Sequence, residues 1–358
     1  MTPPTGNVGI GEMTNNLMDR YLELLGRFRG CPIAVYGDLV ADEFVYGEIS
    51  RISREAPVLI LKHKESRIVP GGGANAVNNL SALGALPVPV GILGLDTAGQ
   101  ALRNQFSSLK IRLSLLQKFG EYQTPTKTRF SAGSVHSSRQ QVLRIDKETV
   151  FQHTPKTRTV TIRLLERALK DCRGVLISDY GFGFVSPQIV RAMVQRNNRK
   201  LPISLDSRFN LLDFQGLTAA TPNEPEVEAA LGIKIGTNTA LLEHSGRKLL
   251  RKLKMGALLI TRGKDGMALL ESGKKSVHIP IFGTDEIADV TGAGDTVIST
   301  FCLGLAAGMD LKAAAIISNF AAGIVVGEVG TSTVKAEDLK KVMFERLGKS
   351  CEHGEGSR

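Results

Sequence analysis

No stretch of this 358-residue chain approaches the run of about 18 consecutive apolar residues that a membrane-crossing helix needs, so a membrane span is excluded. Residues 1–16 lack both the basic and the apolar region of a secretory signal, and a cytoplasmic protein is expected. Cysteine is scarce. Cys31, Cys172, Cys302 and Cys351 stand far apart with no C-x-x-C spacing, which excludes a zinc ribbon or a disulfide framework and leaves free thiols. Two common phosphate-binding patterns are also missing. Gly348-Lys349-Ser350 has Met343 where a P-loop needs its first glycine, and Gly71-Gly72-Gly73 has Ala76 where a dinucleotide fingerprint needs its last. Aromatic residues make up only 5% of the chain, and tryptophan is absent. The basic residues therefore lack the aromatic interleaving that base stacking requires, and nucleic-acid binding ranks last among the explanations of the formal net charge of +10. That charge is concentrated: residues 101–200 hold 19 Lys and Arg against 6 Asp and Glu. A solvated basic face and a field that attracts phosphorylated small molecules remain as its competing explanations.

What is present is an alternation. Short β-branched runs at 31–38, 87–94, 174–180, 201–206, 219–224 and 256–263 are separated by helical patterns such as 76–85. Strand and helix in turn imply right-handed βαβ units, hence an α/β fold whose parallel sheet is covered on both faces. Residues 43–69 and 126–146 break the rhythm by alternating apolar and polar positions, as antiparallel strands solvated on one face do. They are expected to form a small β lid over the carboxyl ends of the main strands. One domain over 17–348 is expected, between disordered ends at 1–16 and 349–358.

The most informative segment is Asp289-Val-Thr-Gly-Ala-Gly-Asp295-Thr, followed by a helical pattern rich in small residues. A Gly-Ala-Gly turn at a helix start leaves backbone N–H groups unpaired at the positive end of the helix dipole, which makes an anion cradle. A carboxylate beside such a cradle is poor for simple phosphate binding. It suits a base that takes a proton from a hydroxyl as its oxygen attacks phosphorus. A tight turn with Asp295 as an ordinary first-turn acid is the alternative.

Taken with Gly71-Gly72-Gly73-Ala-Asn75 and Thr221-Pro222-Asn223-Glu-Pro-Glu226, that segment resembles the ribokinase-like (PfkB) carbohydrate kinases in order and spacing. Further segments resemble the heptose 7-phosphate kinase branch of that family: Tyr46-Gly47 with the run from Ser50 to Pro57, Gln140-Gln141-Val-Leu-Arg144-Ile-Asp146, Ser178-Asp179-Tyr180 and Gly327-Glu-Val-Gly330-Thr. The likeness covers about 28–347.

The resemblance implies Asp295 as catalytic base, with Gly292, Ala293 and Gly294 as the anion hole. It implies Asn223 and Glu226 for Mg²⁺ and the ATP phosphates, acting through water, and Thr261, Gly263, Gly266 and Asn319 along the nucleotide. By residue pattern alone, residues 263–266 fit a plain hairpin turn and Asn319 a polar residue of a buried helix. For the sugar the resemblance implies an early strand-end aspartate, either Asp38 or Asp42, together with Gly72, Gly73 and Asn75, whose small or amide groups permit close approach and hydroxyl binding. A phosphorylated sugar also needs cations, and Arg54, Lys127, Arg129, Arg139 and Arg144 lie on or beside the expected lid strands. Lys127 and Arg129 share one strand face. Asp179 and Asp206 are further strand-end candidates. Asp289, Thr291 and Gly330 resemble a potassium-holding loop pair.

The implied activity is ATP- and Mg²⁺-dependent transfer to the anomeric hydroxyl of D-glycero-D-manno-heptose 7-phosphate, a step toward ADP-heptose and the lipopolysaccharide core. A homodimer through the lid strands is expected, with neither nucleic acid nor membrane as partner. The chain departs from heptose kinases at Asp42-Glu43-Phe44 and at Phe182, where that branch carries an Asp-Arg-Tyr-like run and a lysine. No H-x-G-H nucleotidyltransferase motif is formed, so the kinase alone is expected. A kinase for another sugar, or a non-catalytic nucleic-acid-binding module, are the alternatives.

Overall fold

The computed structural model describes residues 15–133, 140–282, 292–327 and 332–352. Its main sheet has eight strands in the order Val277–Ile279, Met267–Glu271, Ala257–Thr261, Ala219–Ala220, Ile203–Ser207, Gly174–Asp179, Pro32–Gly37 and Leu86–Val90. The strands from Ala257–Thr261 onward are parallel. The first two are antiparallel, which corrects the expectation of a wholly parallel sheet. The reason is local: Gly263–Asp265 forms a tight 3-10 turn and Gly266 takes a φ of +77°, so the chain reverses after Thr261 instead of entering a crossover helix.

Alternate residues of the parallel strands feed opposite cores, as a pleated sheet covered on both sides demands. Ile33, Val35, Leu176 and Leu259 pack with helices Gly73–Ala82, Ala293–Ala306 and Leu311–Val326. Ala34, Tyr36, Val175, Ile177, Leu258 and Ile260 pack with helices Pro155–Asp171, Pro187–Arg196 and Thr239–Leu253 on the other face. Helix starts carry the side chains the backbone needs there. Thr154 and Asp310 accept the amides of Thr157 and Ala313, and Pro155 and Pro187 occupy first-turn positions where no N–H is missed. The last helix, Ala336–Glu352, runs into the segment expected to be a disordered tail, and the first, Asn15–Gly26, begins inside the expected disordered start. Neither stretch contains a proline or another strong breaker at those positions.

A second sheet of four strands stands off the main body, in the order Leu59–Gly72, Leu39–Ile52, Thr126–Gly133 and Gln140–Lys147. Its central pair, Leu39–Ile52 with Thr126–Gly133, is parallel, and the flanking pairs are antiparallel, so it is mixed where antiparallel pairing alone was expected. The long hairpin is rooted at both ends. Leu39–Ile52 follows strand Pro32–Gly37 after one residue, Asp38, and Leu59–Gly72 passes directly into helix Gly73–Ala82.

Candidate active site

The carboxyl ends of the main strands open into a cleft of about 430 Å³ roofed by the lid. Gly72, Tyr180, Asp206, Arg208, Thr221, Asn223, Glu226, Thr261, Gly292, Gly294 and Asp295 line it from the body, and Asp42, Lys127, Arg129 and Arg144 from the lid. Crevices at the carboxyl ends of an open α/β sheet are where such folds bind ligands.

At the floor, helix Ala293–Ala306 begins without a side-chain cap. Its N-cap, Gly292, has a φ of +83°, a left-handed conformation that glycine adopts without strain and that turns the chain sharply into the helix. The first-turn N–H groups at 293–295 have no hydrogen-bond partner among the described residues, and a side-chain carbon at Gly294 would meet nothing within 4 Å. This geometry fits an anion such as a nucleotide's terminal phosphate.

Asp295 sits in that first turn, 4% exposed. Its Oδ2 accepts from Nδ2 of Asn75 at 2.8 Å and its Oδ1 from the hydroxyl of Tyr180 at 3.0 Å. Burial pushes its carboxyl up to about 6, against the pull of those two hydrogen bonds. The setting is rigid. Asn79 donates to the backbone oxygen of Asn75 at 3.0 Å and accepts from the hydroxyl of Thr296 at 2.9 Å, which ties helix Gly73–Ala82 to helix Ala293–Ala306 behind the carboxylate. Gly72 lets the chain pass close by: its φ is +52°, and a side chain there would meet Val40 at 2.9 Å and the Tyr180 ring at 3.1 Å.

Along the nucleotide side, Asn223 and Glu226 form a reciprocal capping box. The Asn223 side chain accepts the Glu226 amide at 2.8 Å, and Glu226 accepts the Asn223 amide at 2.9 Å. Both still line the cleft beside Thr261. Burial raises the carboxyl of Glu226, and it raises that of Asp206 well above the usual range, with the charges of Glu226, Asp295 and Asp179 adding to the effect on Asp206. Asp206 and Glu226 are thus half-buried acids on one wall of the cleft, though no group of three or more acidic, histidine or cysteine side chains gathers as a metal cluster among the described residues.

Along the lid, register puts Asp42 opposite Lys127, Phe44 opposite Arg129, and Arg129 opposite Arg144, so these side chains share the cleft face. Arg129 donates to Asp42 at 2.6 Å and lies over the Phe44 ring, Arg144 pairs with Asp146, and the Lys127 ammonium stands 4.9 Å from the centre of the Tyr180 ring. Burial, then the nearby Arg208 charge, lowers the Lys127 ammonium.

Other residues singled out from the sequence fall elsewhere. Asp38 does not line the cleft. It is 1% exposed and accepts the amides of Tyr180, Phe182 and Phe184, so its carboxylate fastens the loop after strand Gly174–Asp179. Asp179 is likewise consumed, accepting from Gly181, Ser207 and Asn210. Asn75 stands behind Asp295, fully buried, and Gly73 packs on the Asp38 backbone. Gly263 and Gly266 make the hairpin turn already described. Asn319 donates to the backbone of Pro280 at 2.8 Å, away from the cleft lining. Arg54 is exposed in the distal turn of the lid hairpin. Arg139, Asp289, Thr291 and Gly330 lie outside the described residues. Arg208, Tyr180 and Thr221 line the cleft although the sequence reading assigned them no role. Each directly follows a main strand's carboxyl end, and that position was the available signal.

Solved structures share this architecture. Arabidopsis thaliana ribokinase complexed with ribose and ATP aligns with a TM-score of 0.68 at 18% identity, over 88% of this chain and 99% of its own. Escherichia coli phosphofructokinase-2 in complex with substrates and products aligns with a TM-score of 0.69 at 14% identity, over 89% and 99%. The fold is thus ribokinase-like. In sequence, the pfkB family carbohydrate kinase pattern matches residues 191–338. The bifunctional protein HldE of Pseudomonas entomophila is 39% identical over 326 residues, 90% of this chain and 66% of that protein, and HldE of Aeromonas salmonicida is 37% identical over 89% and 65%. The chain belongs to the PfkB family of carbohydrate kinases. It spans about two thirds of the length of these curated relatives.

Proposed function

We propose that the chain transfers the γ-phosphoryl group of ATP to a sugar hydroxyl, and that the sugar is a heptose 7-phosphate phosphorylated at its anomeric oxygen. The observation that carries this reading is the placing of one buried carboxylate, Asp295, beside an uncapped helix mouth inside a cleft whose opposite wall is cationic. The bare amides at 293–295 receive charge on the transferring phosphoryl group, and Asp295, near pH 6, is ionised at neutral pH yet basic enough to take the hydroxyl proton. Mg²⁺ bound with the nucleotide would be held by Asn223 and Glu226 and would supply charge neutralisation. Lys127, Arg129, Arg144 and Arg208 hold the phosphate the sugar already carries, and the lid over them excludes water.

A potassium ion near Asp289, Thr291 and Gly330, a homodimer through the lid strands and a cytoplasmic location belong to the same proposal. The outer lid offers Leu143 and Ile145, 53% and 45% exposed, as apolar surface for a partner lid. Among the described residues no helix is long and apolar enough to cross a membrane.

A second reading, a kinase for a different sugar, is favoured by Phe182, which is buried and apolar where heptose kinases carry a lysine. An ATP-consumption assay across free and phosphorylated hexoses and heptoses, with and without K⁺, separates them. Heptose 7-phosphate should give the highest kcat/KM. A preference for an unphosphorylated sugar would overturn the heptose phosphate assignment and leave the kinase reading intact.

A further inference from the structure

Tyr180 connects the floor of the cleft to its lid. Its backbone amide donates to Asp38 at 2.9 Å, its ring packs against Gly72 and lies under the Lys127 ammonium, and its hydroxyl donates to Asp295 at 3.0 Å. Burial, with the charge of Asp295 next, raises the phenol well above its ordinary range, so it remains a neutral donor at any working pH. Asp295 has no other side-chain donor among the described residues except Asn75. Each carboxylate oxygen thus accepts one hydrogen bond from protein and keeps one lone pair for a substrate proton.

We infer that Tyr180 is a positioning residue for the phosphotransfer base: its hydroxyl fixes the rotation of the Asp295 carboxylate, and its ring, seated beneath Lys127, links that orientation to the position of the lid. This rests on Asp295 being the base of a sugar kinase. Burial, first, and the charge of Asp42 disfavour the ionised carboxylate, whereas the hydrogen bonds from Asn75 and Tyr180 and the charge of Lys127 favour it. The helix start adds its positive dipole to the side that favours ionisation. Loss of the hydroxyl must therefore raise the carboxyl of Asp295 and free it to rotate, while loss of the ring removes the seat of Lys127 as well.

The two roles separate by substitution. Tyr180→Phe keeps the ring and deletes only the hydroxyl. The expected result is a kcat roughly tenfold lower, with the acidic limb of the kcat/KM profile moved up by about one pH unit and the KM for the sugar within about twofold, as one hydrogen bond to a charged group predicts. Tyr180→Leu should add a rise in KM for the phosphorylated sugar that Tyr180→Phe does not show. A readout free of turnover completes the test: the ¹³C carboxyl resonance of Asp295, assigned by its disappearance in Asp295→Asn, should titrate higher in Tyr180→Phe than in the parent protein. If the acidic limb and the carboxyl titration both stay in place, the positioning role is wrong, whatever the loss of rate. If the parent protein phosphorylates no sugar, the kinase reading fails instead, and the carboxyl titration still judges the contact.

Discussion

The floor of the cleft and its lid are held together by opposite means. Around Asp295 the donors are uncharged and mostly buried: Asn75, Asn79 and Thr296 form one chain of hydrogen bonds between two helices, with Asn75 and Asn79 at 0% and 1% exposure, and Tyr180 adds a half-buried donor from the loop after strand Gly174–Asp179. Across the cleft the lid relies on ion pairs. Arg129 with Asp42 is partly shielded, but Arg144 with Asp146 is 39% and 29% exposed, and strand Gln140–Lys147 is exposed along its whole length. Neutral donors in a water-poor site hold a reactive group in place without cancelling its charge. Exposed ion pairs are weak and exchangeable, which suits the phosphate-binding wall that the proposed function requires. Under the proposed function, the chemistry sits on the rigid side and the recognition on the side held by exposed ion pairs.

The sharpest way to break this division is to remove the charge at the floor while keeping its shape. Asp295→Asn preserves size and one acceptor but cannot take the hydroxyl proton, and kcat should fall on the order of a thousandfold, the usual contribution of a positioned base. ATP affinity, measured by calorimetry, should stay within about threefold, because the amides of the helix mouth are backbone groups and remain. A turnover near that of the parent protein would remove Asp295 from the reaction.

Sequence periodicity and composition made the floor easier to read than the lid. The Gly-Ala-Gly-Asp turn is contiguous, and a glycine at a helix start has one main physical use, so Gly292 and Asp295 were accessible from a short window. The pairing of Asp295 with Asn75 spans 220 residues and with Tyr180 115 residues, and no local rule reports such contacts. Asp38 and Asp42 illustrate the same limit. Asp38 directly follows strand Pro32–Gly37 and Asp42 stands four residues later in strand Leu39–Ile52, and only the fold decides that the first faces the amides of the 180–184 loop and the second faces the cleft. On the lid, strand alternation placed Lys127 and Arg129 on one face. Alternation could not tell that Arg54 lies in the distal turn or that Arg208, directly after main strand Ile203–Ser207, joins the cationic wall.

Asp38 gives a second, smaller test of the rigid side. Its carboxyl is pushed up to about 7, first by burial and then by the charge of Asp179, despite the amides it accepts. A carboxyl raised in the folded state contributes stability that is complete below its unfolded value near 4 and is lost as the pH rises through about 7. In Asp38→Asn one of the oxygens becomes a donor facing a backbone donor, at a cost of about 1–3 kcal/mol. The gap in urea midpoint between the parent protein and Asp38→Asn should therefore narrow between pH 5.5 and pH 8. A gap independent of pH would mean that Asp38 titrates as an ordinary surface acid.

The smallest effect is expected on the lid, and there it carries a signature the floor lacks. Arg144 reaches the cleft from an exposed strand and already shares its charge with Asp146, so Arg144→Ala removes a screened contact instead of a buried one. The KM for a phosphorylated sugar should rise by roughly threefold to tenfold at low ionic strength, with kcat nearly unchanged. Near 0.5 M salt the difference should shrink toward none, since charges at that exposure are screened over a few ångströms. Asp295→Asn should show no such salt dependence. Equal losses at low and high salt in Arg144→Ala would place that guanidinium in a desolvated pocket and erase the contrast between the two walls of the cleft.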